Sequence, residues 1–82
     1  MSLDPDAETP LYLQLAAIVR GRIEAGDIAR RVPSIVSLQQ EYGAAKGTVE
    51  RALAVLREEG LVRPVVGRGY FVVPAAERSQ RP

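Results

Sequence analysis

The sequence is 82 residues long, with 46 % apolar and 26 % charged residues, which is the balance of one small globular domain. It contains no cysteine and no histidine, which excludes thiol and imidazole catalysis and soft-metal sites, so we expect no enzyme activity, metal or cofactor. The net charge of +1 hides an uneven distribution, because the acids Asp4, Asp6 and Glu8 precede a stretch with nine bases and six acids.

The first part of the chain predicts a tail and a helix. Residues 1–9 are acidic and interrupted by a proline, which favours a disordered N-terminal tail. Thr9 can cap a helix that has Pro10 in its first turn. Apolar residues then recur at helical spacing through about residues 10–25, and Gly26 follows where helices commonly end.

Two further helices follow a connector of residues 26–32. Ser34 can cap a short helix of about residues 34–42, and Gly43 supplies the turn after it. A third helix is expected over about residues 45–59, because apolar residues recur there at i, i+3, i+4 and i+7. Four residues form its predicted core face: Val49, Ala52, Leu53 and Leu56.

A short β-hairpin is predicted after the third helix. Residues 61–65 and 70–73 are rich in valine and aromatic residues, and a glycine-containing turn separates them. Pro64 lacks an N–H donor, which places the first strand at an edge. Residues 74–82 form a polar C-terminal tail. The fold class is therefore mainly α with small β, a winged helix-turn-helix in which a two-stranded wing follows three helices over residues 10–73.

The outward face of the third helix offers candidate DNA contacts, because the N-terminal residues of a recognition helix normally reach base edges. Lys46 and Thr48 can donate to bases or phosphates, whereas Glu50 can only accept, as from a cytosine amine. Gly47 permits close approach of the backbone, and Arg51 adds positive charge. An ordinary solvated helix face is the alternative for these charges.

Further candidates lie outside that helix. Ser34 stands at a helix N-terminus whose free N–H groups attract phosphate. Arg68, at the tip between Gly67 and Gly69, can enter a minor groove or bind a phosphate. Alternatively, the glycines serve only a tight hairpin, and Arg68 serves only solubility. Two connector residues are candidate contacts to the DNA backbone: Arg30 and Arg31.

The sequence resembles the winged helix-turn-helix domain of GntR-family bacterial transcription regulators over about residues 10–73. Short motifs in a specific order carry the resemblance: Pro10-Leu11-Tyr12, Gly26-Asp27-Ile28, Val32-Pro33-Ser34, Tyr42-Gly43, Thr48-Val49, Glu59-Gly60-Leu61-Val62 and Gly67-Arg68-Gly69-Tyr70-Phe71-Val72.

The resemblance implies a transcriptional regulator, expected to be a repressor, that binds a double-stranded DNA operator. The recognition helix, about residues 45–59, would enter the major groove. The wing, residues 66–70, would lie at the minor groove or backbone. Family members also carry an effector-binding and dimerising domain, which we expect to be absent from this chain, so at most a weak homodimer on DNA is predicted.

The sequence departs from the family pattern at several positions. Lys46 replaces the usual Arg and lacks its bidentate fork. Val36 and Glu50 also stand where Arg is common, and the connector, residues 27–32, is about two residues shorter than usual. Since phosphate neutralisation dominates affinity, we expect weak DNA binding, with a site preference tuned by Lys46 and Glu50.

The alternative function is a protein-interaction winged-helix module with weak or no DNA binding, which the acidic Glu50 favours. No apolar run approaches the roughly 20 residues of a membrane span, and the polar start is unlike a signal peptide. No membrane partner is therefore expected, and the predicted location is the cytoplasm, associated with the nucleoid.

Overall fold

The computed structural model describes residues 2–78, and the order of its elements confirms the predicted fold class. A two-stranded antiparallel sheet follows the three main helices. No described helix has the length and apolar character needed to cross a membrane. The elements are α1 (Leu11–Glu24), α2 (Ile35–Tyr42), α3 (Lys46–Glu58), β1 (Val62–Val65), β2 (Gly69–Val72) and a short α4 (Ala75–Arg78).

The start of α1 differs from the prediction that Thr9 caps it. Pro10 is the N-cap residue, with extended backbone at φ −55° and ψ 147°, and no side chain caps the helix. The carbonyl of Pro10 accepts the first helical hydrogen bonds, from the N–H groups of Leu13 and Gln14. Thr9 therefore lies one residue too early to act as the cap.

Residues 2–9, predicted as a disordered tail, make specific contacts with α1. The Asp4 N–H donates to Gln14 Oε1 at 2.8 Å, and Gln14 Nε2 donates back to the Asp4 carbonyl at 2.9 Å. Leu3 packs against the hydrophobic core. A single glutamine side chain thus satisfies backbone groups of this segment, which composition alone could not indicate.

The helix-turn-helix confirms the predicted roles of Ser34 and Gly43. Ser34 Oγ accepts a hydrogen bond from the Ser37 N–H at 3.0 Å and so caps α2. Gly43 ends α2 in the left-handed region, at φ 63°, where a side chain would be strained. α3 begins three residues later at Lys46.

The hydrophobic core lies between α1 and α3 and is closed by α2 and β1. The four residues predicted for the core face of α3 are all buried. They pack against α1 residues at helical spacing, against two connector residues and against one residue each from α2 and β1. The largest fully buried side chains are Leu15, Val19, Leu38, Val49, Leu53, Leu56 and Val62.

The wing is a hairpin with a third segment beside it. β1 and β2 pair in antiparallel register. Pro64 lies in β1, the outer strand, opposite Tyr70 of β2. On the other edge of β2, the Val32 N–H donates to the Tyr70 carbonyl at 3.0 Å, and the Val72 N–H donates to the Arg30 carbonyl at 2.7 Å. The connector therefore supports the wing, and this pairing was not predicted.

Candidate nucleic-acid interface

The first turn of α3 brings several predicted contacts to one exposed surface. Lys46 and Gly47 are exposed there, Thr48 is half-buried, and Glu50 and Arg51 are exposed in the next turn. The N-cap residue Ala45 provides no side-chain hydrogen bond, so the first N–H groups of α3 have no capping side chain. A positive helix end is thus left open beside a lysine.

Gly47 has no role in the packing of the domain. A methyl group built at Gly47 would meet no atom within 4 Å, and the backbone there does not adopt positive φ. A glycine inside a helix costs about 1 kcal/mol relative to alanine. The packing of the fold therefore does not explain this glycine.

Arg51 contacts an aromatic residue from another helix. Its guanidinium carbon lies 4.5 Å from the centre of the Tyr12 ring, at the start of α1. Sequence reasoning selected Arg51 but not Tyr12, since no local pattern links residues so far apart in the chain.

At the tip of the wing, Arg68 is flanked by two glycines in the left-handed region, with φ 77° at Gly67 and φ 90° at Gly69. This conformation agrees with the alternative interpretation that a tight hairpin requires glycine at both positions, and the DNA contact of Arg68 stays a prediction. Val66, next to the tip, is 101 % exposed, so the turn presents an apolar side chain as well as a cation.

Arg31 fixes the backbone of that tip. Its Nη2 donates to the Arg68 carbonyl at 2.9 Å, and its guanidinium carbon lies 5.7 Å from the centre of the Phe71 ring. Arg31 was predicted as a candidate DNA-backbone contact, and the structure shows that it also links the connector to the wing. Arg30 is exposed, with its carbonyl engaged by the Val72 N–H.

A groove between the N-terminus of α2 and the wing brings two distant candidates together. Ser34 and Arg68 both line it, along with Arg31 and Tyr70. Val36, in the first turn of α2, also lines this groove and is 60 % exposed. The helix-turn-helix and the wing therefore form one continuous surface.

Two arginines that are not among the candidate contacts, Arg20 and Arg22, are neutralised by carboxylates. Arg20 Nε and Nη2 donate to Glu59 at 2.8 and 2.5 Å, and this pairing raises the pKa of Arg20. Arg22 donates to Asp27 at 2.9 Å and to Glu41 at 3.1 Å, and the bond to Asp27 is the main cause of its raised pKa. These guanidinium groups are charged at any pH used for binding.

The interface cations lack such partners. Within residues 2–78, no carboxylate lies within salt-bridge distance of Lys46, Arg51 or Arg68. In the same part of the chain, no group of side chains is arranged to hold a metal ion. Uncompensated positive charge at a helix N-terminus and a wing tip suits a polyanion.

The helix-turn-helix, the wing and the cationic surface they share define a winged helix-turn-helix DNA-binding domain of a transcriptional regulator. Residues 11–72 match the family model described as bacterial regulatory proteins, gntR family. The chain belongs to this family, which confirms the resemblance seen in the sequence.

Curated relatives are transcriptional regulators of greater length. An uncharacterized HTH-type transcriptional regulator of Rhizobium meliloti, RB1450, is 44 % identical over 64 residues, which cover 76 % of this chain and 26 % of that protein. The mannosyl-D-glycerate transport/metabolism system repressor MngR of Escherichia coli is 34 % identical over 65 residues, covering 77 % and 27 %. The chain thus spans about a quarter of the length of these relatives.

Solved structures of similar domains agree with the fold. The AraR DNA-binding domain in complex with operator ORX1 superposes with a TM-score of 0.80 at 29 % identity, covering 89 % of this chain and 95 % of that one. YtrA from Sulfolobus acidocaldarius, a GntR-family transcription factor, superposes with a TM-score of 0.79 at 30 % identity, covering 94 % and 83 %.

Proposed function

We propose that residues 10–73 bind a specific double-stranded DNA operator, with the N-terminal half of α3 in the major groove and the wing at the minor groove or backbone. The observation that carries this proposal is a set of exposed cations, Lys46 and Arg51 on α3 and Arg68 at the wing tip, that have no carboxylate partner within residues 2–78. The similarity to the AraR domain bound to operator DNA supports it.

Three residues of α3 contact DNA directly, and a fourth leaves room for the DNA backbone. Lys46 donates to a guanine edge or a phosphate, and Thr48 donates to a phosphate or contacts a thymine methyl. Glu50 accepts from a cytosine amine. Gly47 admits the DNA backbone close to α3, in agreement with the open space around it.

The remaining contacts come from α2 and the wing. The capped N-terminus of α2 at Ser34 faces a phosphate. The tip of the wing, with Arg68 between its two glycines, follows the minor groove or the backbone. Arg30 and Arg31 contribute charge beside the backbone, and Arg31 also holds the tip through the Arg68 carbonyl.

We further propose that the protein acts as a repressor in the nucleoid and pairs as a weak dimer on a two-fold symmetric site. The E. coli relative MngR is named a repressor, which supports the proposed repressor role. The alternative, a protein-interaction module, draws on Glu50, because an exposed carboxylate on the recognition face repels phosphate.

The first test measures binding of the 82-residue chain to a labelled mixed-sequence duplex by fluorescence anisotropy from about 50 to about 200 mM salt. Three phosphate contacts give a slope of about −3 in log K against log salt. Absence of binding at the lowest salt would reject the DNA proposal and support the protein partner.

The wild type and the Glu50→Ala variant are then each used to select binding sites from random duplexes, which tests whether Glu50 recognises a base. We expect the variant to bind random DNA more tightly, since a repulsive charge is removed. It should also lose preference at one base pair, because a mismatch at a contacted pair typically costs about 1–3 kcal/mol. An unchanged preference would show that Glu50 reads no base.

A further inference from the structure

The contact between Arg51 and Tyr12 is formed by two helices that lie far apart in the sequence. Tyr12 is half-buried and packs against the hydrophobic core, so its ring is held by the fold. Arg51 is exposed, with its guanidinium carbon 4.5 Å from the ring centre. A long flexible side chain is therefore held against a fixed platform.

The contact with the ring face leaves the N–H donors of the arginine available. A guanidinium group carries five N–H donors, and the contact over the Tyr12 ring is made through its central carbon at 4.5 Å from the ring centre. Within residues 2–78, no carboxylate lies within salt-bridge distance of Arg51. Its donors therefore face solvent and can bind a planar or tetrahedral oxyanion.

Arg51 projects beside the open α3 backbone at Gly47. The two residues are one turn apart, and residues four positions apart lie on the same helix face. Glu50 points about 100° away around α3, since successive helical residues are rotated by that angle. Tyr12 thus holds Arg51 at the edge of the exposed face of α3, next to α1.

We infer that Tyr12 is a positioning residue that holds the Arg51 guanidinium for a DNA phosphate flanking the major groove. This inference rests on the proposed DNA-binding function. Arg51 lies on the side of α3 that faces Tyr12 of α1, where it can meet the DNA backbone.

A contact of this kind contributes affinity without reading sequence. Phosphates carry no base identity, so loss of the contact should weaken every duplex alike. Preorganisation of an exposed arginine by a half-buried aromatic ring corresponds to about a threefold change in affinity. Loss of the arginine itself should also reduce the salt slope by about 0.9.

The experiment compares Tyr12→Phe, Tyr12→Leu, Arg51→Ala and the double variant Tyr12→Leu/Arg51→Ala in the 82-residue chain. Affinity for a selected and a scrambled duplex is measured against salt. Tyr12→Phe keeps the ring and should match the wild type. Tyr12→Leu should bind both duplexes about threefold more weakly. That loss should vanish when Arg51 is already alanine.

Arg57→Ala is the matched control, since Arg57 is an exposed arginine in the last turn of α3. It removes the same charge without a ring partner, and its effect should be unchanged by Tyr12→Leu. A threefold loss in Tyr12→Leu that persists in the Arg51→Ala background would overturn the inference, because Tyr12 would then act through the fold alone.

Arg51→Lys provides a second test if Tyr12→Leu does not fold. Lysine keeps the charge but loses the planar stack, so the salt slope should stay while affinity falls about threefold. Wild-type affinity in Arg51→Lys would count against positioning by the ring. If the wild type itself binds no duplex, the proposed function fails, which separates that outcome from failure of the inference alone.

Discussion

The domain has two sides that handle their charges in opposite ways. On the paired side, Arg20 and Arg22 are held by Glu59, Asp27 and Glu41. On the open side, defined by Lys46, Gly47, Arg51 and Arg68, none of the cations has a carboxylate partner within residues 2–78. The same residue type therefore serves the fold on one side and remains available to an external anion on the other.

The pairing of individual cations with carboxylates locates the candidate interface better than the net charge of the chain does. The chain as a whole carries only +1, which is little for a DNA-binding protein. Three of the ten acids are engaged with the two arginines of the paired side, so the local potential of the open side is set by Lys46, Arg51 and Arg68 against the exposed Glu50.

The largest expected effect comes from the core that joins the two sides. Leu53 of α3 is 1 % exposed and packs in the hydrophobic core. Leu53→Ala should destabilise the domain by about 2–5 kcal/mol, through lost burial and a cavity. In urea unfolding followed by circular dichroism, the midpoint should fall well below that of the wild type.

Val36→Ala is the matched control for Leu53→Ala, since Val36 is 60 % exposed on the groove beside the wing. It should change the unfolding midpoint little. A large loss of stability in Val36→Ala would mean that the groove lined by Val36 and Arg68 also supports the fold, and the division between the sides would not hold.

Local patterns in the sequence predicted most of the fold. Helical spacing identified the three helices, and the capping serine Ser34 and the turn glycine Gly43 gave the boundaries of α2. The paired glycines Gly67 and Gly69 gave the wing, because their positive φ is a local requirement of the turn. Each of these signals lies within a few residues of the feature that it predicts.

Features that depend on distant partners could not be predicted. The connector pairs with β2 through the bridge between Arg31 and Phe71, and a run of two arginines has no strand pattern. The contact of Arg51 with Tyr12 likewise depends on how α1 and α3 pack. The sequence therefore identified most candidate residues, but not what holds them in position.

The next expected effect concerns the link between the connector and the wing. Arg31→Ala should weaken DNA binding about fivefold, a loss of about 1 kcal/mol, since the wing tip loses its hydrogen bond to Arg31. Affinity is measured by anisotropy for Arg31→Ala, Arg68→Ala and the double variant. Because Arg31 acts by orienting the tip, its effect should shrink when Arg68 is already alanine.

Additive losses in that cycle would instead assign Arg31 a direct contact to the DNA backbone, as the sequence alone suggested. Arg30→Ala is the control of equal charge, because the Arg30 side chain makes no hydrogen bond or ion pair within residues 2–78 and only the Arg30 carbonyl, which accepts from the Val72 N–H, is bonded to the wing. Its effect should be independent of Arg68.

The smallest expected effect lies on the paired side. Arg20 and Glu59 are 32 % and 37 % exposed, so solvent screens their attraction, and such pairs contribute about 0–1 kcal/mol. Glu59 also occupies the C-cap of α3, where the helix dipole disfavours a negative charge. Glu59→Gln should therefore lower the stability by about 0.5 kcal/mol or less, measured by urea unfolding.

DNA affinity is the decisive measurement for Glu59→Gln. Arg20 is not one of the cations that define the open side, and its side chain is partly exposed, so salt screens its charge at physiological ionic strength. Releasing its charge should therefore leave affinity and salt slope unchanged at that ionic strength. A clear gain in affinity would show that the freed arginine reaches DNA, so that pairing by Glu59 limits binding and the two sides are electrostatically coupled.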